Sequence, residues 1–418
     1  MDKRGPIVIA RHGRLRTGHP LLGLLRLLGI ALAVVAVSAA SIGGFAVWDV
    51  ASNVKQGIHL AKLPGQTDAP PPDIGAIEGG VNLLLVGTDT RTDQGGAFSS
   101  KAELAGSSGA GNNDVTMLMH IAEDHKSATV VSFPRDLMIP VPSCPRTGGG
   151  SYPALSTAMF NSTLARGGLS CVVLTVEKMT GLKIPYAAMI SFDGVIAMSN
   201  AVGGVTVCLA TPIKDVYTNP ALNLPAGQVT LVGAQALSFL RSRHGVGDGS
   251  DLGRISNQQV FLAALTRKVT SGGVLANPIQ LYSLAKAAVN ALQLSDTLTK
   301  PTTMVEIAIA LRDVGLGNLV FLQYPTATDP ANQNRVVPIA SAAAVLNAAL
   351  VADRPLQLSG DLGRAAVADP TATTVPTPTE TSATGTPTPT ESASSAVVLP
   401  SAITGQTAAQ QTCSSKSR

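Results

Sequence analysis

The chain has 418 residues, 45% of them apolar and only 13% charged, with a formal net charge of +4. That length buries a large core once a membrane segment and a polar tail are subtracted, which leaves one substantial domain. The positive excess is concentrated at the N-terminus rather than spread over a folded face, which argues against a nucleic-acid partner, and aromatic residues at 3% leave few stacking platforms for a passive sugar binder.

Residues 1–26 form a basic segment with Lys3, Arg4, Arg11, Arg14, Arg16 and Arg26, after which residues 27–48 run for 22 positions without a charge. At about 1.5 Å per residue a helix of that length crosses the roughly 30 Å hydrocarbon core, so it reads as a transmembrane helix. The basic flank before it and Asp49 after it place the N-terminus in the cytoplasm and the rest of the chain outside the cell membrane. A cleaved signal peptide has a shorter apolar region, about 7 to 15 residues, so a retained signal-anchor is the better match.

Residues 49–80 read as an extracytoplasmic spacer in which Pro70, Pro71 and Pro72 favour an extended polyproline form. From Val81 the apolar runs alternate in type. VNLLLVG, VTMLMHI, ATVVSF, IPYAAMI, GVTVCL and NLVFLQY are short, continuous and often β-branched, as buried strands are. The stretches 171–181, 192–204, 232–243, 255–269, 278–292, 302–315 and 340–353 are longer and read as helices. Alternation of this kind is the signature of an α/β domain, here over residues 81–355. Residues 356–418 read as a largely disordered tail, because from Asp369 the composition turns to Pro, Thr, Ser and Ala and PTPTETSA nearly recurs as PTPTESAS. Its last stretch, from Ala396, is more apolar.

Four cysteines in an extracytoplasmic chain are free to pair. Cys144 and Cys171, 27 residues apart, bracket a Gly/Ser/Tyr-containing insertion that gains from closure and are the first candidate pair. Cys208 reads equally as a buried small hydrophobe or as a partner for Cys413 that ties the end of the tail to the domain. No Cys/His cluster points to zinc.

The chemistry-bearing residues sit at the ends of these apolar runs. Asp89 and Arg91 follow the first strand, where α/β sheets place functional groups, although an aspartate in such a turn is also an ordinary cap. Asp114 opens the next strand, and two strand-end carboxylates could share one divalent ion. Arg135 follows Pro134 directly after ATVVSF; as a surface pair with Asp136 it would contribute little, but a proline-fixed exit aims the side chain reproducibly. Arg241 and Arg243 end a helix, where its dipole also favours cations. Beyond the Gly-rich loop lie Asp251, Arg254 and Gln258, the last two four residues apart and on one helical face. Arginine forks suit phosphate oxygens and aspartates suit magnesium. No P-loop, dinucleotide fingerprint or nucleophile elbow is present, and His244, the one histidine beside the arginines, reads as a solvent-exposed bystander.

Together these motifs, above all RSRH followed by D-L-G-R-x-x-N-Q, resemble the LytR-CpsA-Psr family of wall-glycopolymer ligases, in particular its actinobacterial members, over about residues 81–265. The resemblance implies a single three-layer α/β/α domain with a central mixed sheet. It implies magnesium (or manganese) on Asp89 and Asp114, pyrophosphate contacts from Arg135, Arg241, Arg254 and Gln258, and catalytic roles for Asp89, Arg135 and Arg241 with Arg91, Arg243 and Asp251 in support, Asp89 and Asp251 being the candidate bases for the acceptor. It also implies transfer of a polyprenyl-pyrophosphate-linked glycopolymer (arabinogalactan, teichoic-acid-like or capsular) to peptidoglycan through a phosphodiester. Many members carry arginine where this chain has Asn257, and residues 94–112 form a long Gly/Ser-rich insertion between the first two motifs. Competing readings are a membrane-bound transcriptional regulator, which the short N-terminal segment disfavours, a non-catalytic glycan binder, and a pyrophosphatase using water as acceptor.

Overall fold

The computed structural model describes residues 20–66, 80–90, 111–146, 148–270, 277–372 and 396–416, and it divides into two units, residues 1–52 and 53–418. The first unit contains helix α1 (Pro20–Ser52), in which Leu24–Ser52 is long and apolar enough to cross a membrane. The helix starts earlier than the uncharged run because the leucine-rich turns before it are strong helix formers, and Arg26 has a stem long enough to reach an interface. The stretch expected to be a basic cytoplasmic segment therefore contributes residues 20–26 to the helix.

The second unit is built on a seven-stranded mixed sheet. Its strands are β1 (Val81–Thr88), β2 (Asn113–Ile121), β3 (Ala128–Phe133), β4 (Tyr186–Ile190), β5 (Leu292–Leu294), β6 (Leu319–Gln323) and β7 (Gly405–Thr407), in the order β5-β4-β1-β2-β3-β6-β7. β4 lies parallel to β1 and β6 parallel to β3, and the other neighbours are antiparallel. The helices that follow α1 are α2 (Thr163–Thr180), α3 (Phe192–Ala201), α4 (Ala234–Arg241), α5 (Asp251–Thr270), α6 (Pro278–Ala291), α7 (Pro301–Val314) and α8 (Ala340–Val351).

Successive side chains of a strand point to opposite faces, and here both faces are covered. Leu84 and Val86 of β1 join a core with Val172 and Val176 of α2 and Leu346 and Leu350 of α8. Val81 and Leu83 join a separate core with Ala263 of α5 and Ile307 and Ala310 of α7. The result is a three-layer α/β/α domain, and it explains why these strands read as unbroken apolar runs. The predicted strand GVTVCL instead forms Val205–Leu209 in a second sheet with Gly227–Leu231, Thr412–Ser414 and Ala366–Ala368.

Two boundaries differ from the expectation. Residues 53–66 belong with the domain: Lys55 Nζ donates to the Asn290 carbonyl at 2.9 Å, Ile58 bridges to Ser295, and Ile58 and Leu60 pack on the core. The proline run of the spacer lies outside the described residues. The tail is also not disordered throughout. Val397–Val398 pairs with Leu356–Gln357, β7 closes one edge of the central sheet, and Thr412–Ser414 pairs with Val205–Leu209. Apolar residues such as Leu399 and Ile403 give it core to join, whereas the Pro/Thr repeat lies outside the described residues. Both disulfides are formed, Cys144–Cys171 and Cys208–Cys413, which resolves the question left open for the second pair.

Candidate active site

Three chain segments converge at one end of the central sheet. The first is the start of β2, which brings Asp114. The second is the turn after β3, where Phe133 and Pro134 lead into Arg135; its main-chain N–H donates to Asp251 Oδ2 at 3.1 Å, so the turn is tied to the first residue of α5. The third runs from the end of α4 through the glycine-rich loop into α5 and brings Arg243, Asp251 and Arg254.

Their side chains form one ion-pair cluster. Arg135 Nη1 donates to Asp114 Oδ1 at 2.7 Å. Arg254 Nη2 lies 2.7 Å from Asp251 Oδ1 and donates to the Asp114 main-chain carbonyl at 2.6 Å, while its Nη1 is 3.9 Å from Asp114 Oδ2. Arg243 Nη2 reaches the same Asp251 oxygen at 3.5 Å. Arg254 is only 4% exposed, so its charge is held away from water and depends on these partners. The Nε atoms of Arg135 and Arg254 are buried without a hydrogen-bond partner.

The balance of charge decides what the cluster can do. Burial works against the charged form of Arg135, yet Asp114, Asp251 and Asp136 outweigh it and hold the guanidinium above its ordinary pKa. Arg243 goes the other way: burial, then the nearby Arg254 and Arg135, push its pKa down more than Asp251 and Asp114 raise it. A guanidinium crowded by two others is a site that gains from a bound anion, and the fork geometry matches phosphate oxygens.

Asp215, which nothing in the sequence singled out, holds Arg243 in place. Its Oδ2 accepts from Ser242 Oγ at 2.7 Å and from the Arg243 and Gly245 main-chain N–H groups at 3.3 Å each. Burial raises the pKa of this carboxyl, but the hydrogen bonds from Ser242, Tyr217, Arg243 and Gly245 overcome that and lower it. A depressed carboxyl contributes stability that is present above the ordinary value of about 4 and is lost as pH falls through the lowered one. Asp215→Asn is therefore expected to reduce stability at neutral pH by roughly 1 to 3 kcal/mol. In urea titrations repeated from pH 7 to pH 3 the variant should also lose less on acidification than the wild type.

A cavity of about 320 Å³ opens on one side of the cluster. Asp114, Arg241, Arg254 and Gln258 stand among its walls, and apart from the Thr88 and Ser191 hydroxyls the remainder is apolar, with Leu85, Met117, Ile190, Val195, Leu237 and Leu262. Arg241 stacks over the Phe192 ring, 4.1 Å from its centroid. Gln258 Nε2 donates to the Leu240 carbonyl at 3.0 Å and so fixes the end of α4 to α5. The shared helical face expected of Arg254 and Gln258 is thus the polar rim of an apolar chamber.

Asp89 stands apart from the arginines. Asn112 donates to it twice, from the main chain to Oδ1 at 2.6 Å and from the side chain to Oδ2 at 3.2 Å. Gly111 has φ of +76°, and a Cβ there would fall 2.8 Å from Asp89 Oδ1, so glycine is required beside the carboxylate. The main-chain N–H groups of Asp89 and Asp114 both point at the Asn112 carbonyl, at 3.2 and 3.1 Å. The two carboxylates therefore spring from neighbouring backbone, although one faces Asn112 and the other Arg135. They are two hard oxygen donors at this end of the sheet that could hold a divalent ion. Arg91 lies outside the described residues. His244 packs on Tyr217, with ring centroids 4.4 Å apart.

The LytR_cpsA_psr family model matches residues 55–349. The chain belongs to this family. The cell wall biosynthesis protein LcpA of Corynebacterium glutamicum is 29% identical over 77% of this chain and 63% of its own length. The probable cell wall biosynthesis protein LcpB of the same organism is 34% identical over 54% of this chain and 50% of its own length. The match thus spans between half and two thirds of these curated relatives. Among solved structures, protein gbs0355 from Streptococcus agalactiae superposes with a TM-score of 0.52 at 20% identity, covering 66% of this chain and 87% of that one. TagT bound to LI-WTA gives a TM-score of 0.51 at 20% identity, covering 71% and 98%. Both share the fold of this chain.

Proposed function

We propose that the protein is a membrane-anchored, extracytoplasmic phosphotransferase that moves a glycopolymer from a polyprenyl pyrophosphate carrier to peptidoglycan. The observation that carries this reading is the arginine cluster, with buried Arg254 on the wall of an apolar chamber, a pairing suited to a lipid pyrophosphate. The names of relatives agree: one of similar sequence is the polyisoprenyl-teichoic acid–peptidoglycan teichoic acid transferase TagU of Enterococcus faecalis, 28% identical over 47% of this chain and 56% of its own length. Arabinogalactan, a teichoic-acid-like polymer and a capsular polysaccharide all meet the chemistry.

In this mechanism the polyprenyl chain occupies the apolar chamber and its pyrophosphate lies against Arg254, Arg135 and Arg243, with Arg241 and Gln258 at the rim. An acceptor hydroxyl attacks the phosphorus that bears the polymer, in line with the departing polyprenyl phosphate, and the arginines stabilise the charge left on that phosphate. Asp251 is committed to Arg254, Arg243 and the Arg135 amide, so it serves as the counter-ion that orients them. Asp89 and Asp114 would hold a magnesium or manganese ion, which would supply charge neutralisation on the phosphates.

Binding separates this reading from others. The full chain in detergent is expected to bind a decaprenyl pyrophosphate at least about 10-fold more tightly than the monophosphate, a difference of about 1.4 kcal/mol. Equal affinity for the two would remove the pyrophosphate from the account. Chelation with EDTA is expected to abolish turnover and magnesium to restore it, while Asp89→Asn should raise the magnesium concentration needed.

A further inference from the structure

A second cavity, of about 370 Å³, shares no lining residue with the apolar chamber and meets it through the ion-pair cluster, because Arg135, Arg243 and Asp251 form part of its wall. Its far wall comes from a hairpin, Thr326–Asp329 with Asn332–Pro338, that no motif of the sequence touches. The hairpin is docked on the turn that carries Arg135: the Val336 main-chain N–H donates to the Asp136 carbonyl at 3.2 Å, and Arg335 Nη1 is 3.5 Å from Asp136 Oδ1. Gln333 and Asn334, exposed at the hairpin tip, put amides on the cavity wall, and Arg364 joins them from the C-terminal stretch.

Four arginines against two aspartates line this cavity, although Arg364 is also paired with Asp248 at 2.6 Å and Arg135 with Asp114 at 2.7 Å; its walls offer amide and guanidinium donors with no aromatic ring. That lining suits a hydroxyl-rich ligand bearing carboxylates rather than a lipid. Position adds a second argument, which rests on the transferase reading. In-line displacement needs the incoming hydroxyl on the face of phosphorus opposite the leaving polyprenyl phosphate, and the polar cavity lies across the cluster from the chamber assigned to that lipid.

We propose that this cavity seats the acceptor, an anionic glycan strand, and that Gln333, Asn334, Arg335 and Arg364 set its affinity. The acceptor hydroxyl oxygen forms the new bond to the polymer-bearing phosphorus, the bond from that phosphorus to the bridging oxygen breaks, and polyprenyl phosphate leaves with the electron pair. The hydroxyl proton passes to solvent through the open cavity.

The test compares the full-length wild type with Gln333→Ala/Arg335→Gln and, separately, Arg364→Gln, using a soluble muramic-acid-containing tetrasaccharide as acceptor. The acceptor KM is expected to rise about 10-fold in the double variant and severalfold in Arg364→Gln, while the donor Kd stays within about twofold. The same tetrasaccharide with its carboxylates amidated should show the raised KM on wild type and no further rise in the variants. An unchanged acceptor KM in both variants would overturn the assignment. So would a donor Kd that weakens while the acceptor KM holds, because the cavity would then hold the donor's own sugar. Absence of transfer by the wild type would count against the transferase reading alone, and direct titration with the tetrasaccharide would still judge the cavity. Saturable binding weakened about 10-fold in the variants supports it, and no binding to wild type rejects it.

Discussion

Arg254→Ala is expected to lower turnover by about 100- to 1000-fold, the range seen when one buried donor to a developing charge is removed. The size of the effect follows from burial and position. Arg254 is 4% exposed and is the residue that touches both Asp251 and Asp114 while also lining the apolar chamber. Its loss leaves two carboxylates facing the pyrophosphate with one guanidinium fewer between them, so repulsion replaces attraction at the point where charge develops. Breaking a buried pair also destabilises, by about 3 to 5 kcal/mol when one charge is left uncompensated. The two consequences separate on measurement. Donor binding and single-turnover rates report the site, and a urea titration at the same pH reports the fold. Arg254→Lys keeps the charge but not the fork, and it should recover most of the stability and little of the rate.

The second large effect falls on stability and comes from the C-terminus. Truncation after residue 395 is expected to leave the domain unable to fold stably, because it removes the edge strand β7, the strand Thr412–Ser414 and the buried side chains of Leu399 and Ile403 together. Cys413→Ser alone is milder. It opens a disulfide that spans 205 residues, and removing a native disulfide costs roughly 2 to 5 kcal/mol. That variant should also show reduced turnover, since the neighbouring Ser414 hydroxyl donates to Asn257 Oδ1, and the amide of Asn257 donates in turn to the Phe239 carbonyl at the end of α4. Asn257 lies on α5 between Arg254 and Gln258, so the tail strand braces the helix that carries the site. A thermal melt of the oxidised and reduced wild type, beside Cys413→Ser, checks this: reduction should bring the wild type to the variant's midpoint or below.

Much of this was readable before any coordinates, for definite reasons. Buried strands of a three-layer domain are apolar on both faces, so VNLLLVG and ATVVSF announced themselves, and with them the positions of the charged residues at their ends. Arg135, Arg254, Asp114 and Asp251 sit in short motifs with fixed spacing to those strands, and the structure brings all four together with Arg243. Arg241 is the last residue of α4 and stacks on Phe192, and Arg243 lies two residues on, past the helix end.

What escaped the sequence has physical causes too. Strands of two or three residues, such as Leu356–Gln357 and Thr412–Ser414, are too short to show a period, so the tail looked unstructured. Arg335 and Arg364 belong to no motif: the hairpin's docking on the Asp136 carbonyl places the one and an ion pair with Asp248 the other, contacts that leave no mark on composition. Asp215 reads as an ordinary polar residue in a three-residue strand, and only the loop folding back over it reveals four hydrogen bonds. The pairing of Cys208 with Cys413 could not be deduced across a separation of 205 residues.

The central claim is that the arginine cluster moves a pyrophosphate-linked polymer onto peptidoglycan. It is tested most directly by incubating the full-length protein in detergent with magnesium, a synthetic polyprenyl-pyrophosphoryl saccharide and soluble peptidoglycan oligomers. The expected product is saccharide joined to peptidoglycan through a phosphodiester, with one polyprenyl phosphate released per bond and Arg254→Ala nearly inactive. Release of polyprenyl phosphate with the saccharide phosphate left free would contradict the claim and make water the acceptor.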